Sequence, residues 1–272
     1  MILKNGFLHI VIFAFCFQLY SCSNQVRTFA PFSESTPALE EGDEVQIAGT
    51  VNLMRGEVNA SAAVVNHWAV SANAGVRMPL TAKWYCSDLK AGVGYYNNIR
   101  EDGGFEIFAG YGKIHFENLR DTIKSIDFNW RSEVKNYVRT TINYHSFYLK
   151  PDIWVRSGSS KFIFSVGLQY LYTPRYNYYQ QKFREYFEDS STTIDFIKQY
   201  NGEANILLLE PAFQFRTGEG LQFFAEVKLL TVLKEDIAKD IYFNSPKSVV
   251  SVGLLYNFRK RKQEQPDTAP TN

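Results

Sequence analysis

The chain has 272 residues, 29 basic and 28 acidic, and is 45% apolar and 16% aromatic, with 17 Tyr and 22 Phe. So even a charge balance offers no field for nucleic acid or an acidic substrate. A mean hydropathy of -0.24, with no second apolar run of about 18 residues, excludes a transmembrane helix in the mature chain.

Residues 1–21 hold Lys4 and then an apolar run from Phe7 to Phe17. The run is shorter than the roughly 20 residues a spanning helix needs, so it reads as a removable export signal. Its removal takes one basic residue, Lys4, from the 29 and leaves 28 against 28. The junction Leu19-Tyr20-Ser21-Cys22 resembles a bacterial lipobox: an aliphatic residue three before the cysteine, a small one just before it, and Tyr20 as the loosest fit. That resemblance implies a lipoprotein whose Cys22 carries acyl chains such as palmitate. Cys16 leaves with the signal and Cys22 is then modified, so Cys86 has no second cysteine with which to form an intrachain disulfide. Residues 22–43, with Pro31, Ser33, Ser35, Pro37, Glu40, Glu41 and Gly42, show no apolar period and read as a flexible tether.

From Glu44 to Phe258 the period is two, the signature of strands. Val45, Ile47, Gly49 and Val51 alternate with Gln46, Ala48 and Thr50. The same device recurs in Val70–Val76, Leu89–Tyr95, Phe105–Tyr111, Phe147–Val155, Phe162–Tyr170, Leu207–Phe215, Leu221–Leu229 and Val250–Phe258. With a weaker stretch at Val58–Val65 this predicts about ten strands. Connections alternate in length. Short turns fall at Asn66–Trp68, Asn97–Gly103, Ser157–Ser160 and Thr217–Gly220. Longer ones fall at Asn52–Glu57, Met78–Ser87, Glu117–Tyr144, Thr173–Ala204 and Leu233–Lys247. The expected fold is all-β: an up-and-down antiparallel β-barrel with its long loops on one rim and both termini at the other.

The polar face of these strands carries Gly75, Gly92, Gly94, Gly110, Gly112, Gly167 and Gly253. Glycine weakens a solvent-exposed strand but suits a narrow lumen. The same face carries Glu106, Lys150, Asp152, Arg156, Glu210, Arg216, Glu226 and Lys228, expected to form a lumen charge network. The apolar face would then meet lipid. The last strand, Val250 to Phe258, resembles the C-terminal recognition strand of bacterial outer-membrane β-barrels, followed here by a basic and polar tail, residues 259–272. Together with the lipobox, these features resemble the lipid-anchored, outer-membrane-barrel-like proteins of Gram-negative bacteria. The resemblance implies an outer-membrane address. It also implies contact with membrane lipid and lipopolysaccharide, and passage through the barrel-assembly and lipoprotein-sorting machineries. It transfers no active site and no cofactor. Ser23-Asn24-Gln25 shows no acidic cluster that would advertise surface export, so a periplasmic-side anchor is expected.

No residue set points to catalysis or to a metal. His145 and Ser146 are neighbours on a strand and so face opposite ways. Pro151 and Pro211 are expected at bulges or tolerated gaps near a rim, since proline donates nothing to a ladder. The stretch Thr173–Ala204 reads as an aromatic loop with Tyr176, Tyr178, Tyr179 and Tyr186 as binding candidates, and its Phe183/Phe187 pair suggests a short helix. The stretch Glu117–Tyr144 reads as an extension of its flanking strands above the membrane. The functional expectation is a non-catalytic, lipid-anchored outer-membrane β-barrel with a structural, envelope or partner-binding role. Two alternatives stand beside it: a soluble lipocalin-like barrel on a lipid tether that binds an apolar ligand, and an outer-membrane lipid-modifying enzyme.

Overall fold

The computed structural model describes residues 37–40, 43–52, 55–77, 84–100, 102–126, 132–186, 192–237 and 248–258. The strands are β1 (Val45–Asn52), β2 (Arg55–Val65), β3 (Trp68–Arg77), β4 (Trp84–Arg100), β5 (Gly103–Ile126), β6 (Ser132–Ser157), β7 (Ser160–Tyr186), β8 (Thr192–Thr217), β9 (Leu221–Leu229), β10 (Thr231–Asp236) and β11 (Ser248–Phe258). Each pairs antiparallel with its neighbours. β9 and β10 are two pieces of one strand interrupted at Leu230: β9 lies against Ala212–Thr217 and β10 against Asn205–Leu209 of β8. β9 also pairs with β11, and β11 with β1, so the sheet closes into a ring of ten strands with no free edge at that level.

Proline sets the places where the ladder yields. The β6–β7 pairing passes from Leu149↔Leu168 to Asp152↔Ser165, skipping Lys150 and Pro151. Pro211 stands where β8 changes partner from β10 to β9. Pro174 lies in the β7–β8 irregularity between Thr173 and Tyr176, where the Thr173 hydroxyl donates to the Arg175 carbonyl at 3.0 Å. The Pro151 and Pro211 gaps are thus inside strands rather than at a rim.

The four short turns fall where the sequence predicts. Gly158 (φ 60°) and Gly220 (φ 70°) take the left-handed backbone that tight turns need. The opposite connections differ from expectation. β1 and β2 stay paired to Asn52↔Arg55, so the predicted long loop Asn52–Glu57 is mostly strand, with only residues 53 and 54 between the two. Thr173–Ala204 is a strand pair: β7 runs to Tyr186 and β8 starts at Thr192, paired through Glu185↔Thr192. The helix predicted there is absent over residues 173–186, and Phe187 lies outside the described residues. The Glu117–Tyr144 stretch extends β5 and β6 as expected.

β5 to β8 are 24, 26, 27 and 26 residues long, against the 9–11 or so that cross a bilayer as a tilted strand. Their side chains divide at one level. Below it the outward face is apolar, with Val93 57%, Leu89 66%, Ile153 58% and Phe164 52% exposed, while charges are buried inside. Above it the polarity inverts. Lys113, Arg139, Asn177, Asn201 and Glu203 face out, and Ile114, Phe116, Ile142, Tyr144, Leu171, Ile206 and Leu208 form an apolar cluster inside. Aromatic rings mark both edges of the apolar band. Tyr111, His145, Phe147 and Tyr170 pack on the upper edge, with the Tyr111 and Phe147 rings 5.2 Å apart. Trp68, Tyr95, Phe105, Phe162, Phe215, Tyr256 and Phe258 pack on the lower one. An apolar exterior belt between two aromatic girdles, around a polar interior, is the layout of a membrane β-barrel.

Inside the belt, glycine makes room for rings. A Cβ on Gly94 would overlap the Phe108 ring, and one on Gly110 would overlap Tyr148. Gly94→Val is therefore expected to cost about 1–3 kcal/mol by overpacking. Combining it with Phe108→Ala should cost less than the sum of the two single changes, as read by urea unfolding in lipid vesicles.

Candidate functional site

The distinctive site is the short-turn end of the lumen, where the chain occupies its own barrel. Pro37–Glu40, the end of the predicted tether, runs inside the ring, and Ala38 and Leu39 are fully buried. The backbone N–H of Ala38 donates to Glu106 Oε2 at 3.0 Å, and that of Leu39 donates to Glu106 Oε1. On the acceptor side, the Pro37 carbonyl receives Arg216 Nη1 at 2.8 Å and the Ala38 carbonyl receives Lys161 Nζ at 2.8 Å. Glu40 closes the mouth by pairing with Lys161 at 2.7 Å and with Arg156, while Asn98 donates to its carbonyl. Lys161 also stands 4.3 Å over the Trp154 ring. The segment turns at Ala38, whose backbone is left-handed (φ 51°), and its N–H and C=O groups are satisfied by buried ionisable side chains.

Above this clamp lies a second polar layer. Arg216 Nε donates to Gln214 at 2.7 Å, Gln214 donates to Glu226 at 3.2 Å, and Lys228 bridges Glu210 at 3.1 Å. With its amide oriented to satisfy its neighbours, Gln169 donates to Glu210 at 3.0 Å and accepts from Lys90 at 3.2 Å. Lys90 in turn lies 3.3 Å from Asp88. Asp152 sits directly across the β5–β6 ladder from Glu106, and Lys150 is buried on the same face. Between the clamp and this layer lies a cavity of about 30 Å³ bounded by Pro37, Asn73, Lys90, Phe108, Tyr148 and Lys150.

Of the eight residues expected in a lumen network, Glu106, Lys150, Asp152, Glu210, Arg216, Glu226 and Lys228 are buried in the ring. Arg156 is half-buried at the rim, where it meets Glu40. Sequence reasoning left out Lys161, Gln169 and Gln214, although their place in the alternation, in step with Ser165, Gly167 and Arg216, carried the signal. It also left out Glu40, which had no pattern to reveal it. The four tyrosines do not form a loop surface. Tyr176 and Tyr178 point inward, the latter 5.8 Å from the Tyr200 ring. Tyr179 packs edge-on to Tyr137, and Tyr186 stands exposed at the end of β7. His145 faces out to Tyr111 at 2.6 Å whereas Ser146 is buried, so the two cannot act as a base and nucleophile pair. Cys22, the signal (1–21) and the tail (259–272) lie outside the described residues.

These features define a ten-stranded antiparallel membrane-type β-barrel with a filled lumen. The chain is similar to the KdgM porin at 8% identity and TM-score 0.31, covering 79% of this chain and 99% of that one. The translocator domain of the autotransporter NalP from Neisseria meningitidis is similar at 10% identity, TM-score 0.30 and coverages of 82% and 90%. The CymD monoaromatic hydrocarbon channel is similar at 8% identity, TM-score 0.27 and coverages of 80% and 87%. Similarities at this level carry no functional information. No family model and no curated protein matches the sequence.

Proposed function

We propose that this protein is a lipid-anchored β-barrel of the bacterial outer membrane that serves as a closed structural platform. In this reading it raises the long hairpins of β5–β8 above the lipid surface for an envelope or partner-binding role. The observation that carries the reading is the inversion of polarity at the upper aromatic girdle. A continuous apolar belt far larger than the few hundred Å² a soluble monomer exposes needs lipid against it. Above the belt, polar outward residues such as Asn177 and Asn201 need water.

The soluble, ligand-carrying alternative requires the reverse arrangement, because its lumen would have to be apolar at the level where Lys228, Glu210 and Gln169 are buried. A channel is equally disfavoured. The clamp fills one end, the cluster of Phe116, Ile142 and Leu171 fills the wall above, and the 30 Å³ cavity between them has room for about one water. Two results are expected. The detergent-extracted protein should migrate faster unheated than boiled on a gel, and Cys22→Ala should stay in the membrane fraction. Recovery of Cys22→Ala as a soluble periplasmic protein would overturn insertion. In planar bilayers the wild-type barrel should show no ion-conducting steps, and steady conductance would refute the closed lumen.

A further inference from the structure

The lipid-facing belt is not uniform around the ring. On β7, β8 and β9 its outward positions carry bulk, with Phe164, Leu168, Phe213 and Phe223 exposed. Over β1 to β3 they carry little: Gly49, Gly56, Ala72 and Ala74 face out, and a Cβ placed on Gly49 or Gly56 would meet nothing within 4 Å. The result is an exterior groove of about 990 Å³ across β1 to β6, walled by Val51, Val58, Val76 and Leu89 and ending at Lys113 and His145. A second hollow of about 690 Å³ adjoins it two residues nearer the short-turn rim, over Ala60, Ala72, Ala91 and Val93.

One row of cross-strand partners runs the length of the groove: Gly49, Val58, Ala74, Leu89, Lys113 and His145. Barrel strands tilt by about 35–45°, so such a row climbs the wall, and here its side chains pass from apolar to basic between Leu89 and Lys113. The row crosses the lipid boundary at that step. It goes on through Tyr172 and Asn205 to Asp236, so on this row the cations stand at the end of the groove and the acid lies beyond it. His115, two residues past Lys113, also lines the groove. His145 Nδ1 bonds the Tyr111 hydroxyl at 2.6 Å and His115 Nδ1 bonds Asn143 Oδ1 at 2.7 Å, which steadies both rings and leaves each Nε2 for a ligand. Glu117, the next outward residue on β5, is taken by Arg139 at 3.3 Å. Lys113 has no ion-pair partner among the described residues.

We infer that this groove binds lipid A, the phosphorylated, multiply acylated lipid portion of lipopolysaccharide, with a phosphate on Lys113, His115 and His145 and acyl chains on Val51, Val58, Val76 and Leu89. This rests on the reading of the barrel as inserted with its long hairpins outside. Each half of the groove excludes a simpler occupant. The apolar walls alone would accept any hydrocarbon, but the basic end lies on the water side of the boundary and calls for an anion there. A free phosphate would use that end and leave the apolar hollow unfilled. Six strands abreast span about 24 Å at ~4.8 Å per spacing, a width that favours a lipid with several acyl chains over one with two.

The test uses the full-length protein in mild detergent, with bound lipid counted by native mass spectrometry. Three probes are added in turn: lipid A carrying its phosphates, the same lipid without them, and phosphatidylglycerol. Phosphorylated lipid A should bind about tenfold more tightly than either of the others, the margin of one charge-assisted contact. Lys113→Gln with His145→Gln should remove that preference. Ala74→Trp, which fills the hollow, should weaken binding of phosphorylated lipid A about tenfold, and Leu168→Trp on the far wall should do neither. All variants should keep heat-modifiable migration. Equal binding of the three probes, or an unchanged preference in the Lys113→Gln, His145→Gln double variant, refutes the site while the inserted barrel stands. Tighter binding of phosphatidylglycerol refutes the glycolipid, and a dimer in place of bound lipid gives the groove to a second copy of the chain. If the wild type itself shows no heat-modifiable band, the inserted barrel fails and the site fails with it.

Discussion

Val93→Arg is expected to remove about 2–4 kcal/mol of folding stability in a phospholipid bilayer, the cost of a lipid-facing arginine near the midplane of a barrel. Val93 is 57% exposed and its row of the sheet, Val70–Val93–Ala109–Leu149–Leu168, lies between the two aromatic girdles. In a soluble barrel the same change would replace an exposed valine with a better-solvated side chain and cost almost nothing. The sign of the comparison thus separates the two architectures. Asn201→Arg supplies the contrast, being exposed above the upper girdle and paired with Asn177. It should stay within about 0.5 kcal/mol of wild type, the usual range for a surface substitution. Urea unfolding in vesicles of matched thickness measures both. Equal effects at the two positions would place no lipid boundary at Tyr111, Phe147 and Tyr170, and the membrane reading would fall.

That boundary also explains what the sequence could disclose. Within the belt, alternation is read directly: Val45, Ile47 and Val51 outward with Gln46 and Thr50 inward follows from the two-residue period of any strand. Above the belt the period survives but its meaning reverses, since water lies outside and Phe116 and Ile142 now face the core. On β7 the phase slips as well. Leu171 and Thr173 point inward below the irregularity at Pro174, and Tyr176 and Tyr178 point inward above it. A proline, a change of phase and a mixture of tyrosine with charge therefore read as a loop, although the hydrogen-bond ladder continues to Tyr186. The clamp was illegible for a different reason. Nothing local distinguishes Pro37-Ala38-Leu39-Glu40 from a tether. Its conformation comes from Glu106, Lys161 and Arg216, which are 67 to 179 residues away in the chain.

The clamp yields the second large effect. Glu106 accepts two backbone N–H groups, and Lys161 and Arg216 donate to two carbonyls of the same segment, all within the buried end of the lumen. In Glu106→Leu the N–H groups of Ala38 and Leu39 lose their acceptor, at about 1–3 kcal/mol for each unsatisfied buried group. Relief of the neighbouring Asp152 carboxyl, directly across the ladder, offsets part of this, so a net loss of about 2–4 kcal/mol is expected for the two groups together. Glu106→Gln keeps one acceptor while turning a donor toward the second N–H, and should fall between wild type and Glu106→Leu. Stability alone would not show that the segment is what the carboxylate holds. A glutamate-specific protease supplies that evidence: Glu106→Leu should expose Glu40 and Glu44 to cleavage while the barrel remains heat-modifiable. Glu226→Gln, which alters the carboxylate that accepts from Gln214, should destabilise without exposing them. Protection of Glu40 in Glu106→Leu would mean that the lumen holds the segment by shape alone. The backbone would then be a passive filler, and the ionic clamp would have no part in seating it.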